Sequence, residues 1–467
     1  MILNYLYNLD GVVSVSLVGS FMKNAMNNNF SDIDVVVISK ELNLQLFKKA
    51  KLIKNKINLN EINLTGYKVK TNFAFGPLKF NSSKTIVLHI MIYDINSHID
   101  HVIQSPFTCY DWERSKIYKG SSLTDICSVR KIQLNDFLKS RRGINDYVLD
   151  LKNSRISYRE YFFKANKIHL IKKYMKLDAR HKIEFSFHII KNLINNLGKF
   201  LNQNNKILKN KEFEILFKTI CKSNQDLWGF YLAVKNIKLQ KDIPINKNLN
   251  LIDNINLFLN NFKKHINHIK NNKSNIFFLR HAKTKLNLEK NLFIGQKLNP
   301  KIIPLKQKPI KKKYKKVFSS ELLRCIQTAK LLSKNPLIKY ALLNEIDYGD
   351  IEGKSLTYVQ NNYNYIISAW SKGRDIKFPN GENYHDVVKR LNLFKAILKK
   401  YIIPKENYLV VTHNVILRVM LGLHFDIKMC NWYQLNISHL GFLKFIIVEN
   451  KIYPEIDRKK FINQIYG

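Results

Sequence analysis

Apolar positions along the chain change period several times. Residues 11–18 read Gly-Val-Val-Ser-Val-Ser-Leu-Val, alternating as a half-buried strand does, and end in a Gly19-Ser20 turn. Eleven residues later a second strand is expected at Asp32-Ile33-Asp34-Val35-Val36-Val37, and a third at Thr85–Asp94. From about residue 121 to 272 alternation gives way to helical spacing, as in Tyr158–Met175 and Ile183–Leu201, where apolar residues recur every three or four positions. Asn261 to Asn275, rich in Asn, Lys and His, reads as a tether. Short apolar runs then return: Phe277-Phe278-Leu279 ends in Arg280-His281, and Leu409-Val410-Val411 ends in Thr412-His413. The pattern predicts an α/β multidomain chain: an α/β domain over 1–120, a helical domain and linker over 121–272, and an α/β domain over 273–467. A chain of 467 residues is long enough for each to have its own core.

Each apolar run of the C-terminal part ends in residues suited to phosphate chemistry. Arg280-His281 is followed by Ser320 and Arg324, then Glu345, then Thr412-His413. A neutral imidazole can attack phosphorus and split one difficult displacement into two easier ones. Arginines stabilise the phosphoryl oxygens through paired hydrogen bonds, and a carboxylic acid protonates the leaving oxygen. That parts list asks for no metal.

Residues 275–467 resemble the histidine phosphatase superfamily, with its phosphoglycerate mutase-like fold. The resemblance runs through Arg280-His281-Ala282-Lys283-Thr284, Asn287, Gly295, Ser320, Arg324 and Gln327-Thr328-Ala329. It continues through Leu343-Asn344-Glu345, Tyr348-Gly349, Glu352-Gly353, Gly381-Glu382 and Thr412-His413-Asn414. It implies a three-layer α/β/α domain with His281 as nucleophile and Glu345 as proton donor. Arg280, Arg324 and His413 would form the phosphate pocket, with Asn287, Thr284 and Asn414 as further substrate contacts. Two departures stand out. Ala282 replaces the usual glycine, and the stretch from Lys301 to Lys316 carries eight lysines, no acid, and two prolines, Pro304 and Pro309, that oppose a regular helix. The compact domain favours a phosphatase over a mutase, whose longer insertions shield the phosphorylated enzyme from water.

At the N-terminus the Gly19-Ser20 turn precedes Asp32 and Asp34, which period two places on one face of a sheet. Two like charges there call for a hard cation, Mg²⁺ bridging substrate phosphates. The arrangement resembles the DNA polymerase β-like nucleotidyltransferase superfamily. The resemblance implies an α/β domain in which Gly19 and Ser20 contact a nucleoside triphosphate and Asp32 and Asp34 bind metal. The family has a third metal-binding carboxylate on a later strand. On Thr85–Asp94 that place falls to His89, with Asp94 at the strand's end.

A formal net charge of +43, from 78 basic and 35 acidic residues, suits polyanionic partners and draws phosphorylated substrates toward both sites. The lysines are dispersed, and no nucleic-acid motif accompanies them. Five scattered cysteines (Cys109, Cys127, Cys221, Cys325, Cys430) define neither a zinc site nor a disulfide framework. With no apolar run of transmembrane length and no basic leader, a cytoplasmic location is expected. The expected function is a bifunctional enzyme: a histidine phosphatase acting on a sugar phosphate or nucleotide, fused to a nucleotidyltransferase-like domain. The alternatives are an RNA-binding or RNA-end-processing protein, and a phosphatase regulated by a degenerate nucleotide-sensing domain.

Overall fold

The computed structural model describes residues 1–19, 32–57, 66, 68–76, 85–164, 167–239, 250–288, 292–305 and 313–466. Ser20 and the lysines between residues 306 and 312 lie outside this set. The chain divides into two compact units, Met1–Ile266 and Asn267–Gly467.

The first unit holds a five-stranded sheet in the order β3-β4-β2-β1-β5, where β1 is Val12–Val18, β2 Ile33–Ser39, β3 Lys68–Asn72, β4 Thr85–Asp94 and β5 Tyr118–Gly120. β2 and β4 pair in parallel, as do β3 and β4, while β1 runs antiparallel to β2 and β5. β4 is buried along nearly its whole length, which explains why its apolar run does not alternate. One face of the sheet presents Val15, Val35, Val37, Leu88, Ile90 and Ile92 to Leu46, Phe47 and Ala50 of the helix Leu44–Lys51. Period two therefore turns Ser16, Asp34 and His89 to the opposite face.

The helix expected over Tyr158–Met175 is a hairpin instead: β6 (Arg155–Lys164) pairs antiparallel with β7 (Lys167–Lys176), with Lys164 opposite Lys167. Helical spacing of its apolar residues was outweighed by its content of aromatic and β-branched side chains, which fit a pleated surface. Tertiary contacts settle the choice, since Tyr161 and Phe163 stand edge-on to Phe47, with ring centroids 5.2 and 5.0 Å away. The helix expected at Ile183–Leu201 lies within Ala179–Asn202, started by Asp178, whose carboxylate accepts from the His181 amide. Helices Asn210–Ile220 and Gln225–Leu239 follow. The tether expected at Asn261–Asn275 is mostly helix as well. Leu251–Asn272 is a helix that buries Ile255, Phe258, Leu259, Phe262, Ile266 and Ile269. Its polar residues between a three-and-four stripe of apolar ones had obscured the period.

The second unit is a six-stranded sheet ordered β10-β9-β11-β8-β12-β13. Its strands are β8 (Ser274–Arg280), β9 (Lys316–Ser319), β10 (Leu337–Lys339), β11 (Asn407–Thr412), β12 (Phe442–Val448) and β13 (Lys451–Pro454). The first four strands in that order are parallel, and β12 and β13 close one side antiparallel. Ile276, Phe278, Tyr408 and Val410 face a core built with helices Tyr384–Lys399 and Asn414–His424. Leu279, Val317, Leu409 and Val411 face the helix Leu323–Leu332 through Cys325, Ala329 and Leu332. This is the three-layer α/β/α arrangement. Each fully buried aliphatic or aromatic side chain contributes about 1.5–3 kcal/mol, so both faces of the central strands hold their C-terminal ends in register.

Candidate functional site

The parallel strands β8, β9 and β11 end side by side. In open α/β sheets that carboxyl edge is where ligands bind. The ladder continues one residue past the strands: the His281 amide donates to the Thr412 carbonyl at 3.0 Å, and the Ser320 amide to the Val411 carbonyl at 3.0 Å. His281, Ser320 and His413 thus leave adjacent strands at one level. The Ala282 amide donates to Thr328 Oγ1 at 2.9 Å, and that hydroxyl donates to the Arg324 carbonyl at 2.6 Å. Ala282 is fully buried and is not among the residues with positive φ, so its methyl group is tolerated where the resemblance expects glycine.

His281 is 4 % exposed, and its Nδ1 bonds the Ala282 carbonyl at 2.7 Å. A carbonyl can only accept, so Nδ1 carries the proton and Nε2 keeps its lone pair. Burial, then the charge of Arg324, hold the imidazole well below its ordinary pKa and therefore neutral. The His413 ring lies 5.1 Å from it, centroid to centroid. His413 is fully buried, with Nε2 2.8 Å from Ser320 Oγ, which in turn donates to Asn344 Oδ1.

Arg324, 1 % exposed, donates to the carbonyls of Gly295 (2.7 Å) and Leu298 (2.9 Å) and through Nε to His413 Nδ1 (3.3 Å). Arg280 donates to the Ile437 carbonyl at 2.6 Å, and its buried Nε has no partner. An unpaired guanidinium donor beside a neutral imidazole is a vacancy shaped for an anionic oxygen. Glu345 is buried among these groups, and its Oε1 accepts from the amides of Ile346 (3.1 Å) and Val415 (3.3 Å). Burial raises its pKa despite the opposing charges of Arg324 and Arg280. The structure thus collects His281, Arg280, Arg324, Glu345 and His413 at one edge.

The remaining expected contacts are placed differently. Thr284 is fully buried, and its amide and hydroxyl both donate to Asn287 Oδ1 at 3.0 Å. Thr284 therefore shapes the loop, and the Asn287 side-chain oxygen is taken up within it. Asn414 begins the helix after His413 with a buried Oδ1 that lacks a partner. Cys325 is buried beside His413, and burial pushes its thiol up, leaving it unreactive.

Sequence reasoning gave no role to Gly295, Glu352 and Glu382, which lie in the quoted motifs, and did not single out Arg390, His439 or Arg418. Arg390 donates to the carbonyls of Leu342, Asn344 and Glu345 (2.8, 2.7 and 3.1 Å) and forks onto Glu382 (2.9 and 3.0 Å), fixing the segment that carries Glu345. Glu352 accepts the successive amides of residues 295 to 298 at 2.6–3.1 Å, and a Cβ on Gly295 would stand 2.7 Å from its Oε2, so only glycine fits. His439, whose Nδ1 bonds the His281 carbonyl at 3.0 Å, is held neutral by burial and by Arg280, its pKa pushed down to about 4. Arg418, one helical turn after Asn414, donates to the Leu435 carbonyl at 2.8 Å. Its spacing from Asn414 was the available signal; the others follow only from tertiary contacts.

In the first unit, Asp34 stands directly beside His89 in the β2–β4 register, and His89 beside Asn72 in the β3–β4 register. His89 Nδ1 lies 2.8 Å from Asp34 Oδ1 and Nε2 2.5 Å from the Ala74 carbonyl. Gly19 has φ +83°, and a Cβ there would meet Asp34 Oδ2 at 2.2 Å, so the glycine admits the aspartate side chain. Asp94 points elsewhere. It is an odd number of residues from His89 on the same strand and caps the helix Ile95–Gln104 through the Ser97 amide. It supplies no third carboxylate. The segments 20–31 and 77–84 contain no acidic residue, and Glu61 lies outside the described residues. Among the described residues no cluster of three or more His, Cys, Asp or Glu side chains could hold a metal. Among the described residues, the donors beside Asp34 do not fit a pair of Mg²⁺ ions.

The second unit is a three-layer α/β/α domain with this cluster at its carboxyl edge. Residues 276–453 match the family described as histidine phosphatase superfamily (branch 1), and residues 1–117 match the nucleotidyltransferase domain. The chain thus joins a histidine phosphatase domain to a nucleotidyltransferase domain. It is similar to 6-phosphofructo-2-kinase/fructose-2,6-bisphosphatase 4 of Homo sapiens, 31 % identical over 159 residues that cover 32 % of this chain and 33 % of that protein. The Rattus norvegicus protein of the same name is 34 % identical over 113 residues, 24 % of this chain and 23 % of its own. The chain therefore spans about a third or less of the curated relatives it matches. Among solved structures, an α-ribazole phosphatase from Shigella flexneri is 20 % identical over 39 % of this chain and 95 % of its own, with a TM-score of 0.34. A mycobacterial glucosyl-3-phosphoglycerate phosphatase is 20 % identical over 37 % and 90 %, with a TM-score of 0.32. No helix among the described residues is long and apolar enough to cross a membrane.

Proposed function

We propose that the C-terminal unit is a phosphomonoesterase that hydrolyses a small phosphorylated metabolite, a sugar phosphate or nucleotide, through a phosphohistidine. The observation that carries this reading is the His281 tautomer: Nδ1 is tied to the Ala282 carbonyl, so Nε2 is the nucleophilic atom. Nε2 attacks phosphorus, the N–P bond forms, and the P–O bond to the alcohol breaks. Arg280 and Arg324 hold the phosphoryl oxygens as charge spreads over them, and His413, bonded to Arg324 Nε and to Ser320 Oγ, orients the Arg324 guanidinium. Glu345, whose pKa burial raises, passes a proton to the leaving oxygen. Water then attacks the phosphorus, its proton goes to Glu345, and the N–P bond breaks to release phosphate and neutral His281. The relatives' names direct a first panel toward sugar bisphosphates, with nucleotides and phosphorylated cofactors beside them.

The test is phosphate release by the full chain and by His281→Ala, without added metal, combined with rapid acid-free quenching to trap an alkali-stable, acid-labile phosphoprotein. Turnover and label in the wild type, both absent in the variant, support the reading. Turnover that survives in His281→Ala refutes it.

A further inference from the structure

Nucleotidyl transfer by metal ions uses two cations, one on the attacking oxygen and one on the leaving oxygens, held by a shared set of carboxylates. The first unit has the sheet and the Asp32/Asp34 pair of such a site, but the third seat is filled by His89. Asp34, His89 and Asn72 stand in one row across β2, β4 and β3.

The ring at that seat is committed on both sides. Its Nε2 bonds the Ala74 carbonyl, an acceptor only, and its Nδ1 bonds Asp34 Oδ1. A histidine so held has no lone pair to offer a metal and none with which to take a proton from an acceptor hydroxyl. The same contact takes up one lone-pair direction of Asp34 Oδ1. Asp34 Oδ2, lying against Gly19, remains beside the turn. The neighbouring Asn72 does not replace the missing acid: its Oδ1 accepts from the Ala74 amide at 2.9 Å, and its buried Nδ2 is an unpartnered donor. A donor suits an anionic or carbonyl oxygen and repels a cation.

We propose that His89 has converted this site into a one-cation site: the unit binds a nucleotide with a single divalent ion through Asp32 and Asp34, and lacks the second ion that would activate an acceptor for transfer. His89 acts here as a positioning residue that fixes Asp34. The N-terminal unit is accordingly a nucleotide-binding module, and this conclusion stands whether or not the C-terminal unit hydrolyses phosphomonoesters.

The experiment counts Mn²⁺ bound per full-length chain, by equilibrium dialysis at saturating Mn²⁺ and the non-hydrolysable ATP analogue AMPCPP, with Asp32→Asn/Asp34→Asn as the blank. One ion per chain above the blank is expected. His89→Asp, which restores the acid and frees Asp34, is expected to bind two. Two ions in the wild type, or none, overturns the proposal, as does a folded His89→Asp that still binds one. Circular dichroism and the thermal transition of each variant establish folding. If His89→Asp fails to fold, the wild-type count decides alone. A second readout is label transfer from α-³²P-ATP to added RNA, nucleoside and sugar-phosphate acceptors. None is expected from the wild type, and transfer abolished by the Asp32/Asp34 double variant overturns the proposal.

Discussion

Replacing Glu345 with glutamine separates the acid from everything else the side chain does. The amide keeps an oxygen to accept from Ile346 and Val415, so the backbone contacts at 3.1 and 3.3 Å survive. What disappears is the proton. A positioned general acid contributes about 10²–10⁴ in rate, or about 3–5 kcal/mol of barrier. The loss belongs in kcat for alkyl phosphates, whose leaving oxygen needs protonation, and shrinks for p-nitrophenyl phosphate, whose leaving group departs as the anion. The pH profile carries an independent sign. Glu345 must be protonated, and burial raises its pKa, so activity falls as pH rises through that raised value. His281 must be neutral, and its pKa is well below the ordinary one, so the acid limb lies far below pH 6.5. Glu345→Gln should therefore lower the plateau and abolish the alkaline limb. Steady-state kinetics of both proteins on a sugar phosphate and on p-nitrophenyl phosphate from pH 5 to 9 would measure this. Equal losses on the two substrates, or an unchanged alkaline limb, would refute the assignment.

Thr328→Val keeps the volume but leaves the buried Ala282 amide without its acceptor; thermal melting should show a loss of about 1–3 kcal/mol, together with slower phosphorylation of His281. Arg390→Lys retains the charge but cannot reach three carbonyls and fork onto Glu382, so kcat should fall by roughly tenfold or more while KM stays within about threefold. Glu455 is a buried carboxylate held by Lys273, at 2.6 Å, and by Lys444. Burial opposes its charge, but the two lysines outweigh that and hold its pKa below the ordinary value. Its stabilisation is present above the unfolded-state pKa and is lost as pH falls through the lower folded one. Glu455→Gln should cost about 3–5 kcal/mol at pH 7 and progressively less below pH 4, measured as the difference in the thermal transition of the C-terminal unit.

Much of this protein was determined locally. A strand that ends in Arg280-His281 or Thr412-His413 advertises itself, because a short apolar run followed by polar residues has one stable placement: buried, with its end at a sheet edge. The aspartate pair at Asp32 and Asp34 likewise follows from period two alone. Local reasoning failed where two periods fitted equally well. Residues 155–176 satisfy a helical stripe, yet pair as a ribbon because Tyr161 and Phe163 find Phe47, a residue more than a hundred positions away. The Leu251–Asn272 helix was hidden by its asparagines and lysines, which say nothing about the stripe that packs beneath them.

The site divides in the same way. The types and order of His281, Arg324, Glu345 and His413 are legible, since the chemistry demands those groups. Which ring nitrogen of His281 attacks, and what fixes Glu345, depend on the Ala282 carbonyl and on Arg390, whose partners lie as much as 48 residues away along the chain. His89 shows the limit most sharply. In the sequence it falls where the resemblance expects a carboxylate; the strand register that sets Asp34 beside it and the Ala74 carbonyl behind it shows how both ring nitrogens are committed. Hydrogen-bond commitments are made between strands, and a linear pattern does not record which strands become neighbours.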